Sequence, residues 1–156
     1  MNTWFTDIIR HANERLFTDA ELTRIMEYYG TIPVRLKLGE ELEKLEPELL
    51  KILKANVAER FPDRALCSKE LLQDLVESLR HVNLAILLDD PKLLRERWTD
   101  HVTSVMADLG IERHEVHDAY ASMRVMLEKK LTRTTWEIMQ PLYDDLADTF
   151  TAGTAA

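Results

Sequence analysis

The sequence predicts an all-α fold, and two observations carry that reading. Apolar residues recur three and four positions apart almost from end to end, which is the helical period. No segment alternates apolar and polar residues between turn formers, so strand signals are missing. At 156 residues, 46% hydrophobic and 31% charged, the chain suits one domain around one core.

Trp4, Ile8, Ala12 and Leu16 mark a first helix. Thr18-Asp-Ala-Glu21 reads as a capping box, whose hydroxyl and carboxylate satisfy free N–H groups at a second helix start. Leu22, Ile25, Met26 and Tyr29 line that helix, which is expected to stop at Gly30. A third is expected from near Pro33 and a fourth from near Pro47, because proline suits the first turn. Phe61-Pro62-Asp63 ends the fourth. Ser68 is placed to cap a fifth helix running to about Leu88. Asp90-Pro91 opens a sixth, through Trp98, Val102 and Leu109 to Gly110. The seventh carries Val116, Tyr120, Met123, Leu127 and Leu131. A second capping box, Thr134 to Glu137, opens the last helix, which runs through Trp136, Tyr143, Leu146 and Phe150 with a kink expected at Pro141. Residues 1–150 form a single expected domain and 151–156 a frayed tail. Eight helices at this length fit a globin-like packing with an added helical pair, and an irregular bundle would give much the same pattern.

Several functions are disfavoured. A net charge of −8 is unsuited to nucleic acid, which needs a basic footprint. The longest uncharged apolar run, around Val82 to Leu88, is too short for a bilayer, and no leader pattern opens the chain, so a cytoplasmic protein is expected. One cysteine, Cys67, forbids an internal disulfide. His114-Glu-Val-His117 lacks the zinc-protease spacing, the glycines form no phosphate-cradling loop, and no nucleophile elbow appears. No enzyme is expected. The series Glu40, Glu41, Glu43, Glu46 and Glu48 reads as a solvated helix face.

The fifth helix is the most informative segment. Leu71, Leu75, Leu79, Val82 and Ile86 form its apolar face, and Cys67, Asp74, Ser78, His81 and Ala85 run beside it. Asp74, Ser78 and His81 are four and three apart, so they lie one above another. Such a stripe is either a pocket wall for a flat, apolar ligand bearing N–H donors, or an ordinary boundary between buried and solvated faces.

The segment Asp74-Leu-Val-Glu-Ser-Leu79-Arg80 resembles the chromophore-bearing helix of the phycobiliproteins, with its Cys-x-Arg-Asp followed by Leu-Arg. Phe17-Thr-Asp-Ala-Glu-Leu22, Leu87-Leu-Asp-Asp-Pro-x-Leu-Leu and Leu142-Tyr-Asp-Asp-Leu resemble further segments of that family. The resemblance implies a globin-like fold with an N-terminal helical pair, and a bilin held with Asp74 against its inner pyrrole N–H groups. It also places the family's bilin-linking cysteine on Leu71 and its propionate-pairing arginine on Gln73. Cys67 lies one turn earlier, which leaves three arrangements open: attachment through Cys67, a non-covalent bilin, or no bilin. Arg80 falls on the far side of the helix from Asp74 and is expected to be structural.

With those departures the chain resembles the globins associated with bilin biosynthesis more than antenna subunits. Asp74, Cys67, Leu71, Ser78 and His81 are then the candidate contacts for biliverdin or phycocyanobilin, and a homodimer through the first two helices is implied. Heme is the rival ligand. Globin alignment puts Val105 at the iron-ligand position, with His101 one turn earlier and His81 opposite. A ligand-free sensor or interaction module is the third reading.

Overall fold

The structure is a computed structural model that describes residues 3–63 and 65–150. Among the described residues there is no strand, and the helices are α1 (Thr3–Ala12), α2 (Asp19–Arg60), α3 (Ala65–Leu87), α4 (Pro91–Leu94), a π-helical turn (Arg95–Thr99), α5 (Asp100–Asp108), α6 (Arg113–Lys130) and α7 (Arg133–Asp148). α4, the π turn and α5 follow one another without a break, so six continuous helices replace the eight expected. The expected tail, 151–156, lies outside the described residues.

The difference arises in α2. The breaks expected at Gly30, Pro33 and Pro47 do not occur, and one helix of 42 residues runs through all three. At 1.5 Å per residue it is about 63 Å long. All three residues are exposed. A carbonyl that loses its partner to proline there is hydrated instead, so the local penalty is modest. The buried stripe Leu38, Leu42, Leu49, Leu53 and Val57 continues past Pro47, and its packing outweighs the local propensity. The Thr18 capping box forms as read, with the Glu21 N–H donating to Thr18 Oγ1 at 3.2 Å and the Thr18 N–H donating to Glu21 Oε2 at 2.8 Å.

Other boundaries also shift. α1 ends before Leu16, which is 92% exposed. α3 begins at Ala65, so Ser68 lies inside its first turn and donates to the Phe61 carbonyl at 3.2 Å. α7 is capped at Thr132 rather than Thr134: the Glu41 carboxylate accepts from the Thr132 N–H at 3.1 Å and the Thr135 hydroxyl at 2.5 Å, so the cap comes from a neighbouring helix. The glutamate series is therefore not simply a solvated face, because Glu46 also pairs with Arg80 and Glu48 with Lys130. Pro141 is exposed, and α7 continues past it to Asp148.

α3 is the central element, packing against α2, α4, α6 and α7. Leu71, Leu75, Leu79, Val82 and Ile86 are all buried, as its periodicity predicts. Arg35 of α2 closes its C-terminal end. Its guanidinium donates to the Ile86 carbonyl at 2.5 Å and to Asp89 Oδ1 at 2.7 Å, where positive charge meets the negative end of the helix dipole.

Two glycines of α2 differ in a measurable way. A Cβ at Gly30 would meet nothing within 4 Å, whereas one at Gly39 would lie 3.3 Å from Asn83 Nδ2. In melts followed by far-UV ellipticity, Gly30→Ala should therefore stabilise helix by about 1 kcal/mol. Gly39→Ala should gain less, because the Asn83 amide must give way.

Candidate functional site

Helical spacing puts Leu71, Asp74, Ser78 and His81 on one side of α3, and the structure turns that side inward. Leu71 and Ser78 are fully buried, Asp74 is 6% exposed, and His81 is half-buried. Cys67 falls in the first turn of α3, with its side chain outside the described residues. Gln73 is exposed and donates to Glu77 at 3.0 Å. Arg80 is bound to Glu46 of α2, away from the stripe.

Ser78 is the hub of this region. Its Oγ accepts from the Trp98 indole N–H at 2.6 Å and shares a hydrogen bond of 2.5 Å with the Tyr120 hydroxyl. The Tyr143 hydroxyl then donates to the Tyr120 carbonyl at 2.8 Å. Tyr120 is wholly buried, which pushes its phenol well above the ordinary range and keeps it neutral. Trp98 lies in the π turn, where one extra residue per turn re-aims side chains relative to an α-helical register. Sequence patterning places Trp98 and Tyr120 on apolar faces and overlooks their role here. The available signal was chemical: a buried indole or phenol needs a polar partner, and Ser78 is a polar residue on a facing helix.

His81 stacks on the Trp98 indole, with ring centres 4.3 Å apart and 11° between planes. Its Nδ1–H donates to the Glu77 carbonyl at 2.9 Å, which leaves Nε2 as the acceptor of the neutral ring. His101 lies against the same indole at 5.5 Å. Both histidines considered for heme thus contact Trp98, and Val105 is half-buried on α5.

Asp74 is the chemically exposed member of the group in another sense. Its Oδ2 is buried and has no hydrogen-bond partner. Burial pushes the carboxyl up to about 6, His101 opposes the rise, and Glu77 and Glu70 add to it. A buried acceptor without a donor, beside flat rings, can take N–H groups from a flat ligand in a charge-assisted bond. Surface grooves lined by Arg35, Ala85, Ile86 and Asp89 and by Val57, Phe61, Ser68 and Leu72 do not include Asp74, Ser78 or His81. Among the described residues no cluster of three or more metal-ligating side chains occurs, and no helix is long and apolar enough to cross a membrane.

Because the folded value of about 6 lies above the ordinary 3.8, ionisation of Asp74 opposes the ligand-free fold. That penalty is absent below the lower value and complete above the higher one. Asp74→Asn should therefore be more stable than the parent by about 3 kcal/mol at about pH 8, and little different at about pH 3, in urea titrations.

Against known proteins, the phycobilisome protein family matches residues 10–150, from α1 through Phe150. No curated protein matches the chain. With the match covering nearly all of this helical domain, the chain belongs to the phycobilisome protein family, whose members are globin-like helical proteins that bind bilin chromophores.

Proposed function

We propose that the chain binds a linear tetrapyrrole, biliverdin or phycocyanobilin, against Asp74, and that it carries or sequesters the pigment rather than harvesting light. The observation that carries this reading is the buried Asp74 Oδ2, an acceptor with no donor in a protein of a bilin-binding family. A linear tetrapyrrole supplies inner N–H groups for it. The proton balance is favourable too, since a carboxyl with a value near about 6 ionises readily once a cationic pigment lies against it.

The departures from the family pattern support a carrier. Leu71, at the family's linking position, is fully buried and has no nucleophile, and Gln73 replaces the propionate-pairing arginine. The pigment is then held by Asp74, with Ser78, His81 and Leu71 lining the same side and Cys67, the chain's one cysteine, one turn earlier in the helix. This is a cytoplasmic binding protein and not an enzyme. Purified protein mixed separately with biliverdin, phycocyanobilin and hemin tests the reading by absorption, and a denaturing gel with zinc fluorescence reports covalent attachment. A structured red band with a bilin is expected, blue-shifted or bleached in Asp74→Asn. A sharp Soret band with hemin alone supports heme instead, and no change with any pigment supports a ligand-free module.

We also propose a homodimer through the N-terminal helices. Leu22, Met26, Tyr29 and Leu36 follow helical spacing along one side of α2, and all four are exposed, Met26 by 73%. Ile9 of α1 and Phe17, just before α2, are exposed as well. Contiguous exposed apolar area of this kind marks an association surface. Sedimentation should show a dimer for the parent and a monomer for the Met26→Glu, Tyr29→Glu double variant. A monomeric parent rejects the interface.

A further inference from the structure

Trp98 has an unusual set of contacts for a core tryptophan. An indole contains a pyrrole ring, flat and bearing one N–H. Here that ring stacks on His81 at 4.3 Å, donates to Ser78 at 2.6 Å, and meets the Tyr120 hydroxyl through the same oxygen. These are the contacts a single ring of a linear tetrapyrrole would need: a flat partner, an N–H acceptor and an enclosed wall. Asp74, one helical turn before Ser78, offers a second acceptor that one indole leaves unused.

We infer that Trp98 is a gate, its indole filling the slot of one pyrrole ring in the free protein and swinging out about the π turn when a tetrapyrrole enters. The inference rests on the tetrapyrrole reading above and says how that site is regulated. Ser78 and Trp98 are buried, so ligand cannot reach the slot while the indole occupies it. The hinge is in place. The π turn Arg95–Thr99 separates α4 from α5, its outer residues Arg95, Glu96 and Arg97 are exposed, and Trp98 sits within it. Converting one π turn to α geometry shifts the register by one residue, which rotates a side chain by about 100° around the axis. That rotation carries the indole out of line with Ser78. The imidazole face of His81 is then free to stack on the incoming ring.

Stopped-flow absorbance with biliverdin tests the gate in the parent, Trp98→Ala and Trp98→Phe. For the parent, the observed rate should level off as biliverdin increases, because opening limits entry. Trp98→Ala should bind at least tenfold faster with no plateau, and Trp98→Phe, which keeps a ring but loses the bond to Ser78, should fall between them. Should Trp98→Ala fail to fold by ellipticity, Trp98→Phe and one measurement on the parent still decide the matter. The parent's Trp98 indole N–H signal, identified by its loss in Trp98→Phe, should resist exchange in heavy water without biliverdin and exchange rapidly with it. Equal binding rates in parent and variants, with the indole N–H still protected in the complex, overturn the gate and leave the tetrapyrrole reading standing. Binding to the variants and not to the parent supports the gate in its strictest form. No biliverdin binding by any of the proteins overturns both.

Discussion

Ser78 Oγ sits where three helical segments converge, and its two short hydrogen bonds set their relative depth. A hydroxyl buried without partners would cost several times what an ordinary hydrogen bond contributes, so Trp98 and Tyr120 must reach it. Trp98 does so from the π turn and Tyr120 from α6, and the Tyr120 carbonyl then receives Tyr143 from α7. The polar stripe of α3 thereby becomes an internal seam, and the leucines beside it fill the space around the seam. Such a network tolerates little sliding, because each member satisfies the next.

At the far end of α3 a second polar anchor performs a related task. The Arg35 guanidinium ties α2 to the Ile86 carbonyl and to Asp89, which adopts φ 53 as the chain leaves the helix. That left-handed residue reverses the path so that Pro91 can open α4. The direction of the segment bearing Trp98 thus depends on a buried cation and one strained turn.

The helical class, the apolar face of α3, the Thr18 cap and the Asp90-Pro91 start were legible because each follows from local periodicity or local capping chemistry. The end of the segment at Gly110 was legible too: with φ 64 it takes the left-handed conformation that glycine adopts at little cost. α2 was misread for the converse reason. Gly30 is a sound local stop signal and Pro33 and Pro47 are sound local starts, yet one helix runs through all three; at Pro47 the packing of Leu38 to Val57 on either side overrides the local signal. The cap at Thr132 comes from Glu41, 91 residues earlier, a partnership that no local pattern encodes. At the candidate site, spacing was enough to align Asp74, Ser78 and His81. It could not show that Ser78 already serves Trp98 and Tyr120, since a π turn sets the aim of Trp98 and leaves no mark in hydrophobic periodicity. The unpaired Asp74 oxygen was likewise invisible, because partners are a property of the assembled core.

The uninterrupted course of α2 has a mechanical consequence. The stretch before Arg35 projects the apolar side chains Leu22, Met26 and Tyr29, while the stretch after it forms a wall against α3. Both stretches belong to one helix that continues through Pro33. A torque applied to the projecting end has no loop in which to dissipate, and it arrives directly at Leu38 and Leu42, beneath the central helix. If two copies pair through that end, as proposed above, the spacing of their cores is set by the two helices and not by loops.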